Sequence, residues 1–571
     1  MLHRLLTLVA LLLVITGCGG GQSLDDRPLA WDDIRDAIPA QADALFLSRP
    51  DKQVSDLPDR AGGSGLLDMA RAAGVEQTLG FDPNDPAAMA RAGVDAQATS
   101  AVVVLTSGPI FIFKLSDEAA FAQTVKSVLA RQPDLKPSTY RLAGADFTRV
   151  PVSSDFTFDV GVKDGFAFGR VNVATMPALT ATDGDLRALF RGAGDAPFWE
   201  TSEGRALLAD SSGAEPQSLS FVRTRALTRL TDALVQYGNG SSGKLVPDSA
   251  PTAPYRDAAQ RTMCREIVER MAATLPWMSA VTLSVMNGAT GGLAVQSKFR
   301  AHFSDRGAET WKSILQPTGG ASLPGAEEAL FYGAGRIDLR KFLGLFDAPS
   351  EASSCPDTAK ALALISGAKA ARQKQVELNL KVASGEAAIA LFGVRMAGMF
   401  PLVDAALMLG APVGKGVDLA KQLQSEFRKR GADGTADLTS PYTRLNFRLL
   451  IYRISLMQKD DHVAITVGSV PESTVGAMLN AKADAESPVA DLHLNGGRIA
   501  ETATELMAHF KEIGSLKPDQ AKQAQQAVDA VRWLERGDGS LGWSESTLMG
   551  SVSFQLVPPA PVQVAPGEGD L

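Results

Sequence analysis

Two stretches decide the fold: IPAQADALFLSRPDKQVSDL at residues 38–57 and LPGAEEALFYGAGRIDLRKFL at residues 323–343. Each has an apolar residue, a proline and a short polar step, then Ala-Leu-Phe entering an extended run, at Ala44-Leu45-Phe46 and again at Ala329-Leu330-Phe331. One such echo is cheap. Its weight comes from the elements downstream of each copy.

The later elements recur in the same order. SAVVVLTSGPIFIFKL (100–115) is strand-like and leads into the helical pattern DEAAFAQTVKSVLAR (117–131); GEAAIALFGV (385–394) and GVDLAKQLQSEFRKR (416–430) answer them. Hairpins come next, FTFDVGVKDGFAFGRV (156–171) and LLIYRISLMQKDDHVAITVGS (449–469), with Lys163-Asp164 and Lys459-Asp460 at the same turn. SLSFVRTRALTRLTDAL (218–234) then parallels VADLHLNGGRIAETATELM (489–507) as a strand and a helix. Each half closes on a long helix and two strands, VTLSVMNGATGGLAVQSKFRAHF (281–303) and LGWSESTLMGSVSFQLV (541–557). Period-two alternation at Phe156, Phe158 and Val160, interleaved with amphipathic helices, gives the expected class. The expectation is α+β, in two related repeats, each a mainly antiparallel sheet with packed helices. The expected boundaries are 31–303 for the first repeat, 304–320 for a linker, 321–557 for the second repeat and 558–571 for a Pro/Gly-rich, disordered tail.

The first residues read as an address. His3 and Arg4 precede an apolar run, Leu5 to Ile15, of about ten residues, which fits an export signal and is too short for a bilayer span of about twenty. Ile15-Thr16-Gly17-Cys18 resembles the lipobox of bacterial lipoproteins. That resemblance implies removal of residues 1–17 and palmitate-type acyl chains on Cys18, with residues 18–30 as lipidated cysteine and flexible tether. Two or three acyl chains, at about 0.8 kcal/mol per buried methylene, hold a protein to a membrane firmly. Gly19 follows the cysteine where enterobacterial lipoproteins retained in the inner membrane carry aspartate, so the resemblance points to the periplasm and the cell outer membrane.

Composition narrows the classes. Apolar content of 45% and charged content of 21% are those of a globular protein. A net charge of −8 with no Lys/Arg cluster argues against nucleic acid as a partner. Beyond Cys18 two cysteines remain, Cys264 and Cys355. In an oxidising compartment they suit a disulfide between the halves, closing a loop of about ninety residues and stabilising the fold by about 4 kcal/mol; two separate buried thiols are the alternative.

The twofold order, the Pro…Ala-Leu-Phe openings and DPNDPAAMARAGVD (82–95) together resemble a family of exported bacterial proteins known only as a domain of unknown function. The resemblance implies a fold and a location and no activity.

Catalytic patterns are missing from the chain. There is no G-x-S-x-G elbow, and His302, His462, His493 and His509 show neither H-E-x-x-H nor clustered ligand spacing. His462, after Asp460-Asp461, reads as part of a solvated turn, and His493 as a strand residue. Gly410 to Gly416 is one residue short of a phosphate loop and lacks the hydroxyl after Lys415. Asp82, Asn84 and Asp85 lack the glycine of a calcium loop, and Arg536-Gly537-Asp538 matches an adhesion tripeptide by chance. No metal and no cofactor is called for. Ala387 to Val413 is nearly all apolar, with Met396, Met399, Phe400 and Met408 suited to an adaptable apolar site; a core strand followed by a buried helix broken at Pro401 is the plainer reading. The expected function is a non-enzymatic binding or scaffold module of the envelope, holding the membrane through its lipid and binding an apolar ligand or an envelope protein. The alternatives are a hydrolase using Asp/Glu carboxylates without a sequence signature, and a structural lipoprotein linking membrane and cell wall.

Overall fold

A computed structural model describes residues 38–48, 86–98, 100–105, 108–130, 136–151, 156–173, 180–190, 197–210, 217–226, 273–287, 292–319, 328–338, 341, 384–398, 400–437, 443–449, 451–480, 482–483, 487–515 and 518–557. The expectations for Cys18, Cys264, Cys355 and Met399 fall outside the described residues, as do those for Asp82, Asn84 and Asp85 and for the tether and tail.

The first ten strands are β1 (Ala44–Ser48), β2 (Ser100–Val104), β3 (Pro109–Lys114), β4 (Ser138–Leu142) and β5 (Ala145–Pro151), then β6 (Phe156–Lys163), β7 (Phe166–Val173), β8 (Ser218–Arg223), β9 (Trp277–Asn287) and β10 (Gly292–His302). The second ten are β11 (Phe331–Arg336), β12 (Glu386–Ala397), β13 (Phe400–Gly410), β14 (Asp433–Asp437) and β15 (Thr443–Leu449), then β16 (Tyr452–Lys459), β17 (His462–Val467), β18 (Ala490–Asn495), β19 (Leu534–Ser544) and β20 (Thr547–Leu556). The described helices are α1 (Pro86–Arg91), α2 (Glu118–Ala130), α3 (Asp183–Phe190), α4 (Ser202–Asp210) and α5 (Asp305–Ile314), followed by α6 (Gly416–Lys429), α7 (Glu472–Asn480), α8 (Gly496–Glu512) and α9 (Pro518–Val531).

The expected class needs correction. Instead of two repeats, each with its own sheet and packed helices, the twenty strands form one antiparallel sheet with few helices. The physical cause is the pair that was expected to close each half. β10 and β20 would each leave an edge of unpaired amides and carbonyls. They satisfy one another from Leu293 opposite Leu556 to His302 opposite Thr547. From that pair the sheet runs outward through β9, β8, β1, β2, β3, β7, β6 and β5 to β4 on one side. On the other it runs through β19, β18, β11, β12, β13, β17, β16 and β15 to β14. The strand connectivity is the same in the two directions. α5 lies within the expected linker, its first turn capped by the Ser304 hydroxyl accepting from the Gly307 N–H at 3.3 Å.

Local chemistry explains the hairpins. Lys163 pairs with Phe166, leaving Asp164 and Gly165 as a two-residue turn with φ of 52° and 78°. Such a turn matches the right-handed twist of its strands and needs positive φ at both positions, which Asp-Gly tolerates. The other correction concerns 387–413, where no helix succeeds the strand. β12 and β13 are a long hairpin turning at Gly398, and Pro401 lies in the arm opposite Met396. β17 reaches β13 only from Ala405 to Gly410, so Pro401 sits where a single neighbouring strand is present and its missing N–H is tolerated.

The main core lies on one side of the first-half strands. Leu45, Leu47, Val103, Ile110, Phe147 and Phe221 pack there against α3, α4 and the Phe198–Glu200 turn through Leu186, Leu207, Phe198 and Trp199. A buried charge cluster sits beside it. Asp159 accepts from Tyr140 Oη (2.6 Å), from Arg149 Nε (2.8 Å) and Nη2 (2.9 Å), and from Arg170 Nε (3.0 Å). Arg170 also reaches Asp183 at 2.8 Å and the Ala181 carbonyl at 3.1 Å. Burial opposes ionisation of Asp159, yet the hydrogen bonds from Arg149, Tyr140 and Arg170 outweigh it and hold the carboxyl at about 2. Burial and the bond to Asp159 push the Tyr140 phenol up to about 12.

A carboxyl depressed in the folded state contributes stability above its unfolded pKa and loses it as pH falls through the folded value. Asp159 should therefore contribute on the order of 2 kcal/mol at neutral pH, lost between about pH 4 and pH 2. Asp159→Asn, which leaves buried Arg170 with only the half-exposed Asp183 as counter-charge, should cost about 3 kcal/mol in urea unfolding at pH 7 and flatten the acid limb. An unchanged midpoint would show the cluster to be idle.

Candidate functional site

Register fixes which side chains share a face of the sheet, and the middle of the sheet carries a pattern invisible in any one strand. Three successive rows can be followed across seven strands from β10 to β13. The first is Phe299, Gly550, Leu541, Ala490, Gly335, Ala387 and Leu409; the second Ser297, Val552, Gly539, Leu492, Gly333, Ile389 and Leu407; the third Val295, Phe554, Gly537, Leu494, Phe331, Leu391 and Ala405. None of these side chains is charged, and Ser297 alone is polar. Six strand spacings make the floor about 29 Å across, and two row spacings make it about 13 Å deep.

The floor is apolar yet incompletely covered. Ile389 keeps 45% of its surface exposed, Phe299 38% and Phe554 37%. Helices pack at its margins. α5 sits over Ala301, Leu548 and Trp543 at one end of the rows, and α6 covers Phe447, Ile454, Leu456 and Val463 beyond β13. The two phenylalanines lie over strand glycines: a Cβ at Gly550 would meet the Phe299 ring, and one at Gly537 the Phe554 ring. Glycine here lets an aromatic ring settle on the sheet.

The reverse of the same strands has the opposite character. The rows there read Lys298, Ser551, Ser540, Asp491 and Gln296, Ser553, Asp538, His493 before reaching apolar Ala334, Ala388 and Met408 under α7. The side of β8 that carries the main core, at Leu219, thus continues through Val281 into the polar row of Lys298 and Ser551.

The methionine site expected from sequence is dispersed. Met408 is fully buried on the reverse face with Tyr332, Ala390 and Met478. Met396 is on the arm, and Phe400 stands 63% exposed beside the arm's turn. Sequence hydrophobicity flagged the segment but could not divide its two faces.

The histidines are held apart. His302 Nδ1 lies 3.0 Å from Thr547 Oγ1 and its ring stacks on Trp277. His493 Nδ1 is 2.7 Å from Asp538, which Arg536 also binds at 2.7 Å, so that tripeptide is a strand segment with its own internal ion pair. His509 Nε2 meets the Gly398 carbonyl at 2.8 Å. His462 is not the solvated turn residue expected: it opens β17 and lies 3.5 Å from buried Glu386, which also accepts from Thr318 Oγ1 and the Gly319 N–H. No group of three metal-ligating side chains occurs among the described residues. In the loop that approaches a phosphate pattern, the Gly414 N–H donates to Asp461 and Lys415 pairs with Asp418.

Three partly buried carboxylates of the described residues are shifted away from the acid role. Burial raises Glu386, Asp538 and Glu203, but each is brought below its usual range: Glu386 by His462 and the Gly319 N–H, Asp538 by Arg536 and His493, Glu203 by backbone, Ser202 and Arg223. A general acid needs the reverse shift. Among the described residues no helix is long and apolar enough to cross a membrane, which says nothing of strands. Comparison with protein-family models, with curated proteins and with solved structures returned no match.

The two faces should respond differently to truncation. Met408→Ala should cost about 2–5 kcal/mol in urea unfolding, as a core cavity does. Ile389→Ser, on the open floor, should cost less than half as much. Equal losses would mean that the floor is packed like the core.

Proposed function

We propose that the protein is a lipid-anchored module of the bacterial envelope, non-enzymatic, that binds the acyl chains of a lipid on the apolar face between β10 and β13. The observation that supports this reading is the three-row floor: wide, free of charge and partly open at Ile389, Phe299 and Phe554. Exposed apolar area of this extent marks an interaction surface. A surface without charge and with a single hydroxyl offers hydrocarbon complementarity and little to a polar peptide or a sugar. The lipid anchor is the second part of the proposal and rests on Cys18 in its lipobox-like setting. It fixes the protein at a membrane, the source of such a ligand.

Each part has its own test. Labelled palmitate fed to cells should be incorporated into the chain and lost in Cys18→Ser; persistent labelling overturns the anchor. Organic extraction of the purified chain, then mass spectrometry, should release lipid near one mole per mole. The double change Ile389→Lys with Phe554→Lys should lower that yield at least fivefold while the unfolding transition survives. A wild-type chain free of lipid, with the floor protected from solvent by its own residues, would overturn the ligand reading.

A further inference from the structure

The β12–β13 hairpin extends well past the sheet that carries it. Its counterpart in strand connectivity, β2–β3, has strands of 5 and 6 residues, against 12 and 11 here. β11 pairs with β12 only up to Leu391, and β17 pairs with β13 only from Ala405, so 393–404 form an arm beyond both neighbours. Two other elements accompany it. α8 starts directly after β18, touches the arm's base where Arg498 Nη2 donates to the Phe392 carbonyl at 3.4 Å, and reaches its turn where His509 meets Gly398. The β15–β16 turn meets the other strand of the arm, Tyr452 Oη donating to the Pro401 carbonyl at 2.5 Å.

These contacts set three exposed apolar side chains around the turn of the arm. Phe400 is 63% exposed, Ile451, next to Tyr452, 46%, and Ile513, one helical turn beyond His509, 43%. Arg453 and Lys511 are exposed beside them, with Glu512 the adjoining carboxylate. Among the arm's described residues from 393 to 403 none is fully buried. Apolar residues at the tips of converging turns, with tyrosine and cations set behind, are the arrangement that a bilayer interface takes up.

We propose that this tip, Phe400 with Ile451 and Ile513, inserts into the headgroup layer of a lipid bilayer. The inference rests on the anchored reading above, because a membrane is then always within reach. Twenty residue steps separate Cys18 from Ile38, the first described residue, and at most about 3.6 Å each gives a tether no longer than roughly 72 Å. At the high effective concentration so imposed, even three partly exposed side chains suffice for reversible contact.

The test uses the full lipidated chain in vesicles of phosphatidylethanolamine and phosphatidylglycerol carrying brominated acyl chains. A tryptophan is placed by Phe400→Trp at the tip, or by Val413→Trp just beyond the other end of β13, where the side chain is 93% exposed. The added emission from position 400 should be quenched at least twofold more than that from 413, and Ile451→Asp with Ile513→Asp should abolish the difference. Equal quenching at the two positions in vesicle-bound protein overturns the tip proposal and leaves the anchor intact. A chain that does not stay with the vesicles overturns the anchor instead. Emission at 400 that is blue-shifted but unquenched indicates a protein partner and also overturns the proposal.

Discussion

The pairing of β10 with β20 is the constraint on which the rest depends. Each strand ends a run of ten, and each has an edge that must be hydrogen-bonded, blunted or exposed to aggregation. Joining them satisfies both edges and makes the sheet continuous across Leu293–His302 and Thr547–Leu556. It also brings side chains from distant parts of the sequence into common rows. Without that pair Phe299 would not lie over Gly550, and the apolar floor would stop at β20.

Local structure was legible in the sequence because it is written in short-range patterns. The helix expected over 416–430 is α6, and the Lys163-Asp164 and Lys459-Asp460 turns join β6 to β7 and β16 to β17. The partner of each closing strand could not be read, since alternation in β20 is the same whether it faces β19 alone or β10 as well. The twenty-strand sheet depends on that partner, and it displaced the expected pair of separate sheets. Pro401 misled for a related reason: proline breaks a helix, but it sits without strain in a strand beyond the reach of β17.

The site was less legible than the fold. Ala387 to Val413 attracted notice for its hydrophobicity, and the structure divides it, Met408 to one face and Ile389 to the other. Periodicity can show that alternate residues differ in environment, but it cannot say which side is open. Ala387, Ile389 and Leu391 alternate with Ala388, Ala390 and Phe392, so both faces read as apolar. The glycines of β11 and β19 carried a signal that could have been used, since glycine inside a strand marks close approach by a neighbour, here Phe331, Phe554 and Leu492. The Asp159 cluster left no trace, because Tyr140, Arg149, Asp159 and Arg170 come from four strands.

β1 has a mechanical consequence. The chain enters the described body at Ile38 and passes at once into a strand bonded on both sides, to β2 and to β8, over all five of its residues. Tension transmitted through a membrane tether would load this interior strand, not one of the outermost strands β4 and β14. Two ladders of hydrogen bonds would share the force, and the strand's neighbours are themselves held by the main core. An interior strand gripped from two sides cannot be peeled from one edge alone, so its rupture would carry a high barrier, and lifetime under load is set by the unfolding rate. The entry point would make the body a firm handle for whatever pulls on it.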